Sequence, residues 1–346
     1  MDRYKLTYNF FVTLLSIFFI STLFSNEKNK SDHYDGSKFF NIERKEEGRD
    51  FSKFIKWVFN SNRPDHKVSS TSFLVDSTDI SKIQNPPSNT IQATWIGHST
   101  LLVQFEGKNI LTDPIFSDRC SPVKWAGPSR YTKVPFTIKD LPEIDFVVIS
   151  HDHYDHLDLT TIHSLGESPV FFVPLGLKKW FIKAGVKKVV EMDWWEEYEV
   201  GGMIFVCTPT QHFSGRGLFD RNETLWCSWA VIGKNNRFWF AGDTGYFSKF
   251  KSIGEKYGPF DLSAIPIGAY APRWFMKPMH VNPDEAVQIH IDVKSKKTIG
   301  IHWGTFILTD EPVDEPKVKL KESLANRNLS QKEFIAINHG QTLIVK

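Results

Sequence analysis

The sequence predicts a layered α/β domain, α+β in its arrangement, in which two sheets lie between outer helices. Two observations support this fold class. Short runs rich in β-branched and aromatic residues recur from Ile91 to the C-terminus, and helical patterns separate several of these runs in the second half. The composition agrees, because 41% hydrophobic and 24% charged residues in a chain of 346 are typical of a folded protein with a sizeable core.

The predicted strands share short length and apolar character. In chain order they are IQATWI, LLVQF, NILTD, FVVIS, VFFVP, MIFVC, LWCSWAVIG, RFWFAGD, DLSAIPIG, TIGIHWG and TLIVK. Helices are predicted at about 176–184, 246–257, 283–292 and 316–328. The first half is strand-rich, whereas strands and helices alternate in the second half, which favours two sheets with helices outside them.

The chain divides into three predicted parts: a signal peptide or membrane anchor at 1–25, a linker and N-terminal extension at 26–90, and the main domain at 91–346. Arg3 and Lys5 precede an apolar run from Phe10 to Phe24. This run is shorter than the roughly 20 residues of a bilayer span and fits the apolar region of a signal peptide. No A-x-A-like cleavage site follows it, so an uncleaved anchor is an alternative. Both interpretations predict a membrane-associated protein that is exported or anchored by this segment.

Within the extension, FSKFIKWVF at 51–59 has helical spacing of its apolar residues around two lysines. The pattern predicts either a helix packed on the domain or an interfacial helix in contact with lipid.

Charge and cysteine content exclude several classes of protein. A formal net charge of +2 does not indicate a nucleic-acid partner. Cys120, Cys207 and Cys227 are far apart and form no C-x-x-C motif, which excludes a zinc ribbon or a disulfide scaffold. Cys207 and Cys227 are interpreted as small buried strand residues, and a disulfide between them stays open if the protein is exported.

Residues that can bind metal follow directly after predicted apolar strands, where a rigid sheet can hold them in place. They are His151, His153, Asp155 and His156 after FVVIS, His212 after MIFVC, Asp243 after RFWF and His302 after TIGI. A lone histidine is more often a surface or core residue than a ligand. Seven nitrogen and oxygen ligands in this pattern, however, are enough for two zinc-type ions that each keep an open water position.

The spacing supports a pair of ions. His151 and His153 lie two residues apart and share a side in extended backbone, so both imidazoles can reach one ion. Asp155 and His156 follow a bend and can turn toward a second ion, while Asp243 has two carboxylate oxygens and can bridge the pair. Two such ions lower the pKa of a shared water toward 7, which points to metal-assisted hydrolysis.

The signature SHDHYDH resembles the H-x-H-x-D-H motif of the metallo-β-lactamase fold superfamily. Longer segments are similar to the N-acyl-phosphatidylethanolamine-hydrolysing phospholipase D family: TWIGHSTLLVQFEGKNILTDPIFS, FVPLGL, DWWEE, RFWFAGDTGYF, GPFDLSAIPIGAYAPRWFMKPMHVNPDEAVQIH and IHWGTFILTDEPVDEP. The resemblance extends from about Ile91 to the C-terminus. It implies a four-layer αββα sandwich and a hydrolase activity for the main domain.

The resemblance also implies the roles of individual residues and two Zn²⁺ per chain. One zinc would be held by His151, His153 and His212, the other by Asp155, His156 and His302, with Asp243 bridging. Tyr154 and His280 would contact the substrate phosphate, with His280 as a donor to a phosphoryl oxygen or an acid for the leaving alkoxide. The implied partners are a membrane phospholipid substrate, a membrane surface and, as an open option, a second copy of the chain.

The implied reaction is phospholipase D-type hydrolysis of N-acyl-phosphatidylethanolamine to N-acylethanolamine and phosphatidic acid. One alternative is another hydrolase of the same fold, acting on a lactone or a different phosphodiester. A second alternative is a non-catalytic, membrane-tethered binding protein.

Four further expectations concern the surroundings of the ligands. His98 and Asp113 are predicted to order loops or to support the ligands without binding metal. Asp152 is predicted to be a solvated spacer within the signature. Trp194 and Trp195 are interpreted as packing residues, and Gly242 and Gly245 are expected to permit the turn that presents Asp243.

Overall fold

The computed structural model describes residues 31–43, 51–61, 75 and 78–346 of the chain. Its strands are β1 (Ile91–Gly97), β2 (Thr100–Phe105), β3 (Lys108–Thr112), β4 (Phe146–Val148), β5 (Val170–Pro174), β6 (Val189–Met192), β7 (Glu197–Val200), β8 (Met203–Thr208), β9 (Ser228–Ile232), β10 (Arg237–Phe240), β11 (Leu262–Pro266), β12 (Thr298–Ile301), β13 (Phe334–Ile335) and β14 (Thr342–Val345). Its α-helices are α1 (Phe51–Asn60), α2 (Ile80–Gln84), α3 (Leu159–Leu165), α4 (Lys178–Lys183), α5 (Phe250–Lys256), α6 (Arg273–Met276), α7 (Pro283–Asp292) and α8 (Glu315–Asn326), and a 3₁₀ turn spans Ile138–Asp140.

The strands of the described residues form two seven-stranded sheets of the same design. The first has the order β14-β1-β2-β3-β4-β5-β6, antiparallel from β14 to β3 and parallel from β3 to β6. The second has the order β13-β12-β11-β10-β9-β8-β7, parallel from β13 to β10 and antiparallel from β10 to β7. Both sheets are therefore mixed, and the C-terminal strand β14 returns to pair with β1 at the edge of the first sheet.

The two sheets pack face to face and each carries helices on its outer side. Phe172 of β5 stacks on Phe205 of β8 with ring centroids 4.0 Å apart, within a core cluster that draws on both sheets. A second cluster joins the outer face of the first sheet to Ile162 of α3 and Phe181 of α4. Helices α5, α7 and α8 bury apolar side chains against the second sheet. This arrangement confirms the predicted four-layer α/β fold.

Sequence-predicted elements and observed elements agree closely in the main domain. All four predicted helices are present as α4, α5, α7 and α8, and every predicted strand overlaps an observed one. Three strands of the described residues that the sequence does not predict are β6, β7 and β13. Strand β7, with the sequence EYEV, is an edge strand whose first three residues are exposed, so it lacks the apolar character used to recognise the others.

The predicted membrane localisation is contradicted. A bilayer span needs about 20 apolar residues, and no helix within the described ranges 31–43, 51–61 and 78–346 is long and apolar enough to cross a membrane. The signal peptide or anchor predicted at 1–25 lies outside the described residues.

Part of the N-terminal extension packs on the main domain. Helix α1 places Trp57 against Phe275 of α6, with ring centroids 5.3 Å apart, and its indole N–H donates to Asp310 Oδ2 at 3.2 Å. These contacts favour the packed helix over an interfacial one. Farther upstream, Phe39 is buried and its amide donates to the carbonyl of Asn222 at 2.8 Å. The segment 31–43 thereby reaches the loop that follows β8.

Candidate metal centre

The signature HDHYDH lies directly beyond the C-terminal end of β4. The amides of His156 and Leu157 donate to the carbonyl of His153 at 3.1 and 2.8 Å, which closes a tight turn. Arg216 holds the same turn, since its Nη1 donates to the carbonyls of Asp152 and Leu157 at 2.7 and 2.8 Å. The turn therefore directs side chains from both of its ends toward one point between the sheets.

Three histidines lie close together and form the first ligand group: His151, His153 and His212. His151 Nε2 lies 2.8 Å from His153 Nδ1, which lies 3.3 Å from His212 Nε2. His212 comes from the loop after β8 and its Nδ1 donates to the carbonyl of Met279 at 3.0 Å. That bond leaves Nε2 as the nitrogen that faces the other two rings.

A second cluster contains His98, Asp155, His156 and His302. The three of these that the sequence predicts as ligands, Asp155, His156 and His302, are called the second ligand group. Asp155 Oδ2 lies 3.5 Å from Nε2 of both histidines. His302 follows β12, so the second group joins side chains from both sheets.

Asp243 lies between the two groups. Its Oδ2 is 3.2 Å from His156 Nε2 and 3.8 Å from His212 Nε2, and its Oδ1 is 3.2 Å from His302 Nε2. The preceding Gly242 has φ +60 and approaches Ser150 so closely that a Cβ would lie 2.6 Å from the Ser150 Cβ. Gly242 therefore permits the turn that presents Asp243, as the sequence predicts.

The second ligand group and Asp243 have a spacing that suits a zinc-type ion. Ligand atoms about 2.0–2.1 Å from a tetrahedral zinc are separated from each other by about 3.3–3.4 Å. The pairs that Asp155 and Asp243 make with His156 and His302 span 3.2–3.5 Å. Within the described part of the chain, His156 Nε2, His302 Nε2 and Asp243 Oδ1 are buried and have no hydrogen-bond partner. Buried polar atoms without partners are unfavourable, and a cation would satisfy all three.

Burial and neighbouring charges shift the pKa values of the two groups in opposite directions. Burial lowers the pKa of His151 and His212 well below the usual value, so both rings are neutral and ready to ligate. Burial also opposes charge on His302, but Asp243 and Asp155 outweigh it and raise its pKa to about 9. Burial would raise the pKa of Asp243, yet the nearby His156 and His302 hold it well below its ordinary range. The carboxylates are thus ionised, as metal ligation requires.

A hydrogen-bonded network behind the rings fixes the nitrogens that face the centre. His156 Nδ1 donates to Asp113 Oδ2 at 2.6 Å. His151 Nδ1 donates to Ser150 Oγ at 2.8 Å, and Ser150 donates in turn to Asp113 Oδ2 at 2.5 Å. His98 Nε2 donates to Asp155 Oδ2 at 2.9 Å, and burial lowers the pKa of His98 to about 3. The predicted supporting positions of His98 and Asp113 agree with this geometry.

Tyr154 and His280 occupy different positions around the centre. His280 Nδ1 is 3.8 Å from Asp243 Oδ2, and its ring lies 5.1 Å from that of His212. Tyr154 is partly buried and lines a cleft of about 510 Å³ together with Trp180 and Arg216, whose guanidinium lies 3.9 Å from the centre of the tyrosine ring. His280 therefore faces the ligands directly, whereas Tyr154 faces the adjoining cleft.

The prediction for Asp152 is wrong. This carboxylate is 2% exposed and accepts hydrogen bonds from the amide of Gly215 at 2.7 Å and from Thr224 Oγ1 at 3.0 Å. It ties the signature to the loop after His212 instead of lying in solvent. Its position between two histidines gives no signal of this, because both partners are distant in sequence.

Other supporting residues are not evident from the sequence. Ser150, Arg216 and Asn41 all hold ligand-bearing backbone or side chains, and Asn41 lies within the predicted linker. Trp194 is buried, stacks on His33 and donates to the carbonyl of Trp226, so it is a packing residue as predicted. All three cysteines are buried free thiols.

Comparison with known proteins agrees with the fold. The family model described as "Beta-lactamase superfamily domain" matches residues 108–303. The chain is 46% identical over 301 residues to the N-acyl-phosphatidylethanolamine-hydrolyzing phospholipase D 1 of Caenorhabditis elegans, covering 83% of this chain and 81% of that protein. It is 41% identical over 237 residues to a mitochondrial protein of the same description from Saccharomyces cerevisiae, covering 66% of this chain and 50% of the yeast protein.

A solved structure shows the same fold. The metallo hydrolase from the archaeon Ignicoccus hospitalis matches with a TM-score of 0.55 at 20% identity, covering 75% of this chain and 99% of that one. The family model spans more than half of the chain, and the nematode relative is matched over most of its length. The chain therefore belongs to the β-lactamase superfamily and, within it, to the family of N-acyl-phosphatidylethanolamine-hydrolysing phospholipase D proteins.

Proposed function

We propose that this protein is a dizinc hydrolase that cleaves N-acyl-phosphatidylethanolamine to N-acylethanolamine and phosphatidic acid. The observation that carries this proposal is the convergence of seven predicted ligands, drawn from both sheets, on one buried point that His280 also faces. The 46% identity to the nematode phospholipase D supports the choice of substrate.

The two ligand groups would each hold one ion. The first zinc is assigned to His151, His153 and His212, the second to Asp155, His156 and His302, and Asp243 to both. When bound, two zinc ions neutralise charge on phosphoryl oxygens and acidify water to provide the nucleophile at neutral pH. An anionic phosphodiester that gains charge in its transition state suits such a cationic centre.

In the proposed reaction the oxygen of water forms a bond to phosphorus, and the bond between phosphorus and the ethanolamine oxygen breaks. The leaving alkoxide must gain a proton. His280 is proposed to supply that proton or to donate a hydrogen bond to a phosphoryl oxygen, since it lies at the edge of the ligands and is partly exposed. Tyr154 is proposed to contact the phosphate from the side of the cleft.

Contact with a membrane surface and a homodimer are further predictions that follow from the family resemblance. Flotation with phospholipid vesicles and sedimentation equilibrium would test them separately.

A product screen tests the proposed reaction. Zinc-loaded protein is incubated with N-acyl-phosphatidylethanolamine, with phosphatidylethanolamine and with a panel of lactones, and the products are identified by mass spectrometry. We expect N-acylethanolamine and phosphatidic acid from the first lipid. Turnover of lactones alone would indicate a different hydrolase of the same fold, and less than one zinc per chain would favour a protein without catalysis.

A further inference from the structure

Asn41 contacts the first ligand group from the N-terminal extension. Its side chain is 2% exposed; Oδ1 accepts from the amide of His212 at 3.1 Å, and Nδ2 donates to the carbonyl of His212 at 2.9 Å. Trp226 Nε1 also donates to Asn41 Oδ1, at 3.0 Å. One side chain thus satisfies both backbone polar groups of His212, while Met279 fixes the ring.

The segment that carries Asn41 is anchored on both sides of it. Phe39 donates its amide to the Asn222 carbonyl at 2.8 Å. The carbonyl of Glu43 accepts from Gln211 Nε2 at 3.0 Å, and its carboxylate accepts from the amide of Ser248 at 2.8 Å. These contacts place Asn41 on the His212 loop, although its own segment lies outside the region matched by the family model, residues 108–303.

His98 contacts the second ligand group from the turn between β1 and β2. Besides the 2.9 Å hydrogen bond from its ring to Asp155, its carbonyl accepts from the amide of His302 at 2.9 Å. Its own amide donates to Thr305 Oγ1 at 2.6 Å and its backbone has φ +55. The ring of His98 thus lies at hydrogen-bond distance from Asp155. Because it holds Asp155 through its ring and the backbone of His302 through its carbonyl, we assign His98 to the support of the second ligand group.

We propose that each metal position has its own positioning residue outside the ligand set: Asn41 for the first ligand group and His98 for the second. The inference rests on the proposed metal pair and adds that the two positions are supported independently. Among the described residues, the hydrogen bonds of Asn41 reach His212 and Trp226, and those of His98 reach Asp155, His302, Trp95 and Thr305, so the two sets share no residue.

The test is a zinc titration of the full chain in competition with a chromophoric chelator. His153→Ala and His302→Ala serve as references that assign each binding step to one position. We expect Asn41→Ala to weaken the step lost in His153→Ala, and His98→Phe to weaken the step lost in His302→Ala, each by roughly 10–100-fold. Each variant is the control for the other. His290→Phe removes a buried histidine that shares a hydrogen bond of 2.8 Å with Thr298 Oγ1, and it should change neither zinc-binding step.

Conservative variants separate positioning from general damage. His98→Gln keeps an amide donor for Asp155, and Asn41→Asp keeps the acceptor for the amide of His212; both should bind the affected zinc more tightly than His98→Phe and Asn41→Ala. If His98→Phe or Asn41→Ala abolishes the cooperative melting transition, the conservative variants His98→Gln and Asn41→Asp take their place in the zinc titration. Unchanged affinities in both variants, or equal weakening of both steps in either, would overturn the inference. Wild-type protein that binds fewer than two zinc ions would instead contradict the proposed metal pair.

Discussion

Asp243 is the residue on which the two ligand groups converge, because its two oxygens face His156 and His302 at 3.2 Å. We predict that Asp243→Asn and His151→Ala each lower the rate of hydrolysis at least a hundredfold and lower the zinc content. The overall fold should be retained. Circular dichroism checks this, because it reports the two sheets and not the site. Asp284→Asn is the matched control, because that carboxylate lies in a surface ion pair with Arg327 and contributes little to stability. Full activity in metal-stripped Asp243→Asn protein would exclude the metal mechanism.

Tyr154 tests the proposed contact with substrate. Phenylalanine at this position keeps the stacking on Arg216 and the packing on Phe306 and Ile115, and removes only the hydroxyl. We predict a loss of roughly 10–100-fold in kcat/KM, the size expected for one hydrogen bond to a charged group. Zinc content, measured by atomic emission, should stay at the wild-type value. A loss of zinc would show that Tyr154 supports the ligands instead.

The sequence was sufficient to predict which side chains converge at the centre and that His98 and Asp113 lie behind them, but it did not reveal the supporting positions of Asp152 and Asn41. His151 to His156 crowd into six positions after an apolar strand, and that density is itself the signal. The partners of Asp152 lie 63 and 72 residues away, at Gly215 and Thr224, so its burial depends on a loop packing that no local pattern encodes. Asn41 lies in a polar segment that resembles a linker for the same reason.

At the scale of elements, the turn between β10 and Asp243 depends on Gly242. Alanine there would adopt the left-handed conformation at φ +60 and place its Cβ 2.6 Å from that of Ser150. We predict that Gly242→Ala lowers the free energy of unfolding by roughly 2–5 kcal/mol, from backbone strain of about 1–2 kcal/mol and overpacking of about 1–3 kcal/mol. Urea denaturation measures the difference.

Gly107 provides the matched control for this prediction. It lies in the β2–β3 hairpin with φ +72, and a Cβ there would meet no atom within 4 Å. Gly107→Ala should therefore carry only the strain of about 1–2 kcal/mol. If Gly242→Ala and Gly107→Ala lose the same free energy of unfolding, the contact with Ser150 does not constrain the turn.

The segment that leads into β14 contains a buried histidine with a pH-dependent effect on stability. His339 is 1% exposed and shares a hydrogen bond of 2.8 Å with Thr305 Oγ1. Burial, with smaller effects from Arg130 and His98, lowers its pKa to about 3. Because the folded pKa lies below the unfolded value of about 6.5, the unfolded state binds the proton more strongly. Its contribution is complete above pH 6.5 and is lost progressively as the pH falls toward 3.

We predict that wild-type protein loses about 1 kcal/mol more stability than His339→Gln between pH 7 and pH 5.5. Urea denaturation of both proteins at the two pH values isolates this residue, since other buried histidines contribute equally to each. The same loss in both proteins would show that His339 is not buried in its neutral form.

Elements with uniform apolar patterns could be predicted from the sequence, and those with mixed patterns could not. The four predicted helices agree with α4, α5, α7 and α8 to within a few residues. Strand β7 was missed because an exposed edge strand does not need apolar residues on both faces. Helix α1 was predicted correctly, but its packing on α6 follows from Trp57 meeting Phe275 and Asp310 across more than 200 residues of chain.

At the scale of the whole molecule, the site exists because the two sheets have the same design and face each other. Strands β4 and β8, one from each sheet, lead into His151 and His212, and strands β10 and β12 of the second sheet lead into Asp243 and His302. Periodicity predicts the layers, but the pairing of the layers was supplied by the family resemblance and confirmed by the fold. The membrane localisation predicted from the N-terminal apolar run was not supported by any helix in the described residues.

Hydrolysis of N-acyl-phosphatidylethanolamine in water enriched in ¹⁸O tests the central claim most directly. If the zinc-loaded protein directs water to phosphorus, one ¹⁸O atom appears in phosphatidic acid and none in N-acylethanolamine. Metal-stripped protein and His151→Ala should form neither product, and zinc should restore only the stripped wild-type protein. Label in N-acylethanolamine, or product formation that continues without zinc, would contradict the account.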